Sequence, residues 1–234
     1  MENLLTPNLG KQLNITVGET TYSRYPIKTH VVKIDEDLIK ILEQYASPHL
    51  NDGDIIFMSE KIVAISQGRS FPIADIKPSK LAIYLSERVH KSPYGIGLGS
   101  PWTMQLALKE AGHIRIFLAI IAHFIGKIVG IKGAFYYVAG RKIAAIDGPC
   151  DYTLPPYNKY AKLGPEKPNK VARELKEKIG HEVVIIDAND LGVNILGRSN
   201  KKMSKGILAA IFKDNPLGQT NEQTPLCIVR KIIN

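Results

Sequence analysis

VVIIDANDLG, residues 183–192, runs four apolar β-branched residues, Val183 to Ile186, directly into Asp187, Asn189, Asp190 and Gly192. The apolar run predicts a core strand, and NKVARELKEKIG just before it, residues 169–180, predicts a helix. Val171, Leu175 and Ile179 share one face of that helix, Glu174 and Lys178 stand four apart, and Gly180 is its expected stop. A similar succession lies near the start of the chain. THVVKI leads into DEDLIKILEQYA, where Leu38, Ile41, Leu42 and Tyr45 recur at helical spacing behind Asp35 as the expected N-cap, and Ile55 to Met58 then read as a strand. Strand, helix, strand is the order of an α/β or mixed α+β sheet. Ile62 to Ile65 add an apolar segment, and GILAAIF and PLCIVRKI predict a closing helix and strand.

Between these units the pattern is less regular. LAIYLSERVH and WTMQLALKEAG predict helices, with Trp102 as a packing residue at a helix start, and SPYGIGLGSP between them predicts a loop. That loop lacks both GxxxxGK[ST] and GxGxxG, so it reads as a structural turn ahead of a phosphate cradle. IFLAIIAHFIG, residues 116–126, predicts a buried helix or strand too short to span a bilayer. GAFYYVAGRKIAAID, residues 133–147, predicts a hairpin whose second strand ends on Asp147.

With 44% hydrophobic and 23% charged residues the chain has the composition of a globular protein, expected here as one domain over residues 1–234. Cys150 and Cys227 stand too far apart, without CxxC spacing, for a disulfide framework or a zinc site. The start of the chain lacks the apolar core of a signal peptide, so the expected setting is cytoplasmic, with no membrane partner. A formal charge of +9 favours anionic partners, here a nucleotide and a small anionic metabolite. The basic residues are scattered apart from Arg198, Lys201, Lys202 and Lys205, with no aromatic-studded basic strand, which makes nucleic acid the lesser candidate.

Two strands that end in Asp147 and Asp187 would set carboxylates at a sheet rim, where a pair can hold one hard divalent cation against the phosphates of a substrate. Asp187 and Asp190 are equally the residues that cap turns and helix starts, and taken alone the residues favour capping. His30 at a strand start reads as a half-buried histidine or as a residue that orients the loop before it. Cys150, between Asp147 and Asp151, has acidic neighbours that disfavour a thiolate nucleophile.

In order along the chain, GDIIFMSEKIVAISQGR (53–69), AAIDGPCD (144–151), LGPEKPNKVARELKEKIG (163–180), VVIIDANDLG (183–192) and ILAAIF with TPLCIVRK (207–231) resemble the coenzyme F420-0:L-glutamate ligase, or gamma-glutamyl ligase, family. The resemblance is in patches, weak over residues 71–140. It implies a large mixed sheet with flanking helices in two intimately joined subdomains. It also implies a homodimeric, GTP- and Mg²⁺- or Mn²⁺-dependent ligase that forms a gamma-glutamyl amide through an acyl phosphate. By position, Asp147 and either Asp187 or Asp190 fall on the family's metal-holding aspartates, and Pro26, Ile27, Lys28, Glu60 and Lys61 on its nucleotide contacts. The chain departs from the family where Ile65 replaces a phosphate-directed lysine, Gln67 a glutamate and Cys150 a nucleotide-contacting asparagine. Val193 follows Gly192 where the family has arginine, and Lys205 and Gly206 stand where it has a late carboxylate. Those departures leave open a non-catalytic nucleotide- or metabolite-binding protein on the same fold. CDYTLPPYNKY, residues 150–160, has no counterpart in the family's pattern and reads either as a new pocket wall or as an ordered coil on the dimer surface.

Overall fold

The computed structural model describes residues 5–89, 96–151, 153–189, 192–218 and 221–232. The chain divides into two compact units, one of residues 1–67 with 165–234 and the other of residues 68–164.

The first unit is built on a mixed six-stranded sheet: β1 (Asn14–Val17), β2 (Thr20–Ile27), β3 (Ile55–Ser59), β6 (Glu182–Asn189), β7 (Gly192–Arg198) and β8 (Leu226–Lys231), in the order β1-β2-β8-β3-β6-β7. β3 and β6 are parallel, and every other pair is antiparallel. The predicted mixed sheet with flanking helices is therefore present. Ile56, Phe57 and Met58 of β3 and Val183 to Ile186 of β6 are all fully buried, as expected for central strands covered on both faces. Phe57, Val184, Ile186 and Cys227 meet Leu208, Ile211 and Phe212 on one face, where α9 (Lys205–Ile211) packs and the Phe57 and Phe212 rings stack with centroids 4.2 Å apart. α8 (Pro168–Ile179) lies along β6 and β7 and touches α1 (Leu38–Tyr45). Gly197 is what allows α8 to come this close, because a Cβ there would meet the Pro168 carbonyl at 2.5 Å. Gly197→Ala is expected to lower the unfolding free energy by about 1–3 kcal/mol, as overpacking does. A urea titration that leaves stability unchanged would show that Pro168 can move aside.

Two local expectations are corrected here. The strand near residue 30 is β2, which ends at Ile27, so THVVKI lies after it as a non-strand segment. The N-cap of α1 is Asp37, whose carboxylate accepts from the Ile39 amide, whereas Asp35 takes a left-handed turn conformation with φ 60°. The apolar segment 62–65 belongs to α2 (Glu60–Ser66), capped by the Ser59 hydroxyl.

Among its described residues the second unit has a two-stranded antiparallel sheet, β4 (Ser70–Pro72) with β5 (Tyr160–Lys162), and the α-helices α3 (Lys80–Ser86), α4 (Pro101–Ala111), α5 (His113–Ile128), α6 (Ala134–Ala139) and α7 (Arg141–Ala144). Residues 133–147 are thus helical, and the predicted hairpin is absent. Ala139 of α6, Ile143 of α7 and Ile146 just after it are buried together with Leu106, Leu108 and Ile116, and this tertiary core overrides the strand preference of Phe135, Tyr136, Tyr137 and Val138. α5 is the expected helix for residues 116–126, but only Ile116, Ala119 and Gly126 of it are buried. Gly126 holds the turn into α6 against α5, since a Cβ there would lie 2.5 Å from the Ala134 Cβ. The coil after Asp147 leads through Tyr157, whose ring meets that of Tyr160 edge-on, into β5.

Candidate functional site

Strand register gathers one end of the large sheet into a single row. Ile27 pairs with Leu226, Leu226 with Met58, and Met58 with Ile185, so the C-terminal ends of β2 and β3, the start of β8 and the Ile185 level of β6, which itself runs on past the row, lie side by side. Lys28 follows Ile27, Glu60 and Lys61 follow Ser59, and Asp187 follows Ile186, which places four of the predicted nucleotide and metal residues at one sheet end. Groups carried by a rigid sheet end and its loops are the usual way an open α/β sheet presents a binding site.

Hydrogen bonds between distant parts of the chain fix this rim. The Ser59 amide donates to the Pro225 carbonyl at 2.8 Å. The Thr29 amide donates to the Gln223 carbonyl at 3.1 Å, and the Gln223 side-chain amide returns a bond to the Thr29 carbonyl at 2.8 Å. Just beyond Lys28, His30 bridges two neighbours, with Nδ1 2.9 Å from the Tyr45 hydroxyl and Nε2 2.6 Å from a Glu36 carboxylate oxygen. The other Glu36 oxygen accepts from the Lys33 amide at 2.8 Å, closing the loop after β2 on itself. His30 is half-buried, as one of its two readings has it, and its contacts tie it to the loop and helix that follow it rather than to the loop before it. Gln223, Glu36 and Tyr45 carried no sequence signal for this role, because their partners stand far off in the chain or on a loop with no motif.

The individual residues differ in what they offer. Pro26 and Ile27 are buried strand residues, so they can shape the site through backbone and surface but carry no charge to it. Lys28 is exposed and Lys61 half-buried, both as point charges suited to phosphate. Glu60 is buried at the first position of α2. Asp187 does not end its strand: β6 continues to Asn189, and Asp187 pairs with Asn194 inside the β6–β7 ladder. The Val-Ile run thus passes its carboxylate into a two-stranded extension, which corrects the expected strand end. Asp190 lies outside the described residues.

Asp147 belongs to the second unit. It follows α7, so the strand expected to end there is absent, and it forms a single antiparallel bridge with Lys162: its amide donates to the Lys162 carbonyl at 2.9 Å and its carbonyl accepts from the Lys162 amide at 2.8 Å. One carboxylate oxygen accepts from the Gly148 amide at 2.9 Å, a turn-closing contact. Among the described residues no three His, Cys, Asp or Glu side chains gather as a protein-only metal cage. Mg²⁺ and Mn²⁺ keep few protein ligands and take phosphate oxygens, so a single half-buried carboxylate such as Asp187 is the donor to consider here.

The departures from the family pattern have visible structural uses. Ile65 is buried in the core of the first unit. Gln67 clamps the backbone of Glu166, its side-chain nitrogen donating to the Glu166 carbonyl at 3.0 Å and its oxygen accepting from the Glu166 amide at 2.7 Å. Lys205 starts α9 and donates to the Ile195 carbonyl at 2.9 Å. Both cysteines are free, Cys150 partly exposed and Cys227 buried in β8. Burial pushes the Cys227 thiol far above its ordinary range, against the lowering effect of the Arg24 charge. A maleimide is expected to label one thiol per native chain, at Cys150, and two after denaturation. Rapid native labelling of Cys227 would contradict the packing of β8.

Residues 26–206 match the family model described as F420-0:Gamma-glutamyl ligase, which covers most of the chain. A coenzyme F420:L-glutamate ligase of Methanopyrus kandleri is 25% identical over 177 residues, 76% of this chain and 59% of that protein. An uncharacterized protein of Methanocaldococcus jannaschii is 30% identical over 176 residues, 70% of this chain and 56% of its own length. The chain therefore spans a little over half the length of the curated relatives it matches.

Proposed function

Because this chain belongs to the F420-0:gamma-glutamyl ligase family, we propose that it is a nucleotide- and divalent-metal-dependent ligase that adds glutamate, or a similar amine, to a carboxylate acceptor. The observation that carries this reading is the row Ile27, Leu226, Met58, Ile185, which brings Lys28, Lys61 and Asp187 to one end of a rigid sheet. In the reaction, the acceptor carboxylate takes the γ-phosphoryl group of GTP and GDP leaves. The glutamate amine then attacks the acyl carbon, phosphate departs, and the amide forms with loss of a proton from nitrogen. Lys28 and Lys61 would orient and neutralise the phosphates, and Asp187 would hold the cation. Mg²⁺ or Mn²⁺ supplies charge neutralisation on the phosphoryl oxygens when bound. The rim contacts of Thr29, Ser59 and His30 keep the phosphate-facing groups in place without reorganisation, which is where electrostatic catalysis gains most. We further propose that the enzyme works as a homodimer.

A second reading, nucleotide or metabolite binding without catalysis, is favoured by Ile65 and Gln67, whose side chains are committed to the core and to Glu166. One experiment separates the two. The protein is incubated with GTP, Mn²⁺, glutamate and the deazaflavin precursor, and the products are weighed by mass spectrometry. A precursor heavier by one glutamyl residue, with equimolar GDP, supports the ligase. Nucleotide binding with no GDP and no mass gain supports the binding protein.

A further inference from the structure

α5 presents the wrong face to solvent for an ordinary core helix. Ile114, Phe117, Leu118, Ile121, Phe124 and Ile128 recur at helical spacing and are all exposed, Phe117 and Phe124 by 62% and Ile128 by 85%. The stripe continues past the helix end through Val129 and Ile131, and over a 16-residue helix it runs about 24 Å at 1.5 Å per residue. A contiguous exposed apolar surface of this kind marks an interaction site. Its charge says what kind. Between Glu110 and Asp147 there is no carboxylate, while Arg115, Lys127, Lys132, Arg141 and Lys142 supply five cations and His113 and His123 two titratable rings. Lys127 and Lys132 are both exposed, at the end of the stripe and in the turn that follows it.

We propose that α5 and the turn after it are a docking surface for an anionic lipid bilayer, with the helix lying in the plane of the headgroups. Apolar and aromatic side chains enter the acyl boundary and the lysines meet lipid phosphates, which is the pattern of an interfacial amphipathic helix. A second copy of the chain is the less suitable occupant, because a two-fold contact brings together two segments that both carry cations and no carboxylate. Spanning is not required. Among the described residues no single helix is long and apolar enough to cross a membrane, and α4, bent 110° from α5, has residues 103–108 buried in its own unit. The short apolar run that is too short to span is long enough to lie flat.

Flotation of the full chain with vesicles tests this. Binding is expected to vesicles of phosphatidylcholine mixed with phosphatidylglycerol, weakening as salt rises, and much weaker binding to phosphatidylcholine alone. The double variant Phe117→Ser, Phe124→Ser is expected to bind at least about tenfold more weakly, because two large apolar side chains leave the interface. Lys127→Glu with Lys132→Glu is expected to abolish the preference for phosphatidylglycerol. Both pairs are exposed, so an unchanged thermal midpoint checks that each variant remains folded. The proposal is overturned if the wild type floats with neither vesicle, or if the aromatic variant converts a dimer to a monomer while vesicle binding is absent or unaffected.

Discussion

Asp214→Ala is expected to lower the stability of the protein by about 2–4 kcal/mol at neutral pH, less than the roughly 3–5 kcal/mol for breaking a fully buried ion pair because Asp214 itself is partly solvated. Arg24 of β2 is 1% exposed, and its guanidinium meets the Asp214 carboxylate through both terminal nitrogens, with Nη2 2.9 Å from Oδ2. The same group donates to the Ile211 carbonyl at 3.0 Å, at the end of α9, and to the Gln12 carbonyl at 2.7 Å. Without Asp214 a buried cation keeps two neutral acceptors and no counter-charge, whereas Arg24→Met with Asp214→Ala together is expected to be less harmful than Asp214→Ala alone. The pH dependence has a definite sign. Partial burial acts to raise the Asp214 carboxyl, but the hydrogen bonds and charge of Arg24, helped by Lys11, outweigh it and hold the group below its usual range. Its contribution is therefore complete above the unfolded carboxylate value of about 4 and is lost as pH falls through the lower folded value. Denaturant titrations of wild type and Asp214→Ala should differ most near neutrality and converge in acid. A gap that stays constant down to the acid limb would show that Asp214 acts by packing rather than by charge.

The second large effect is functional. Lys61→Ala is expected to weaken GTP binding at least about tenfold, the effect of removing one charge-assisted contact to phosphate. Lys28→Ala should cost less, since Lys28 is exposed and screened. Lys61 is half-buried at the second position of α2, where the Ser59 hydroxyl accepts from its backbone amide at 3.3 Å, so its side chain starts from a fixed point. Neither substitution removes a core group, and the melting temperature should move little. Equal affinities in wild type and Lys61→Ala would take the nucleotide away from this end of the sheet.

The elements with strong periodicity were readable from the residues. The Val183–Ile186 strand, the Ile55–Met58 strand and the helix ending at Gly180 all appear, because an apolar run or a 3.6-residue period leaves few alternatives. What the residues alone did not carry was pairing across long separations. Ile27 and Leu226 are neighbours in the sheet and about as far apart in sequence as this chain allows, so the rim that collects Lys28, Lys61 and Asp187 emerges only from register. Lys28 and Lys61 were placed by family resemblance alone, whereas Asp187 was also marked by the apolar run that leads into it. Residues 133–147 failed for the opposite reason: aromatic and β-branched residues with a Gly-Arg-Lys turn looked like a hairpin, while burial of Ala139, Ile143 and Ile146 in the core of the second unit goes with two short helices. α5 shows a third limit, since an apolar run specifies a helix without saying what covers it. Asp147 and Asp187, read alike as strand ends, prove to be a bridge residue and a mid-ladder residue. Their carboxylates therefore have to be tested for metal rather than inferred from strand geometry.

The most direct test is calorimetric titration of GTP into the wild type with and without Mg²⁺ or Mn²⁺, repeated on Asp187→Asn. The account predicts saturable binding that the metal strengthens in the wild type, with the metal-dependent part lost in Asp187→Asn and the fold intact. Absence of nucleotide binding by the folded wild type, in the presence of either cation, would contradict it.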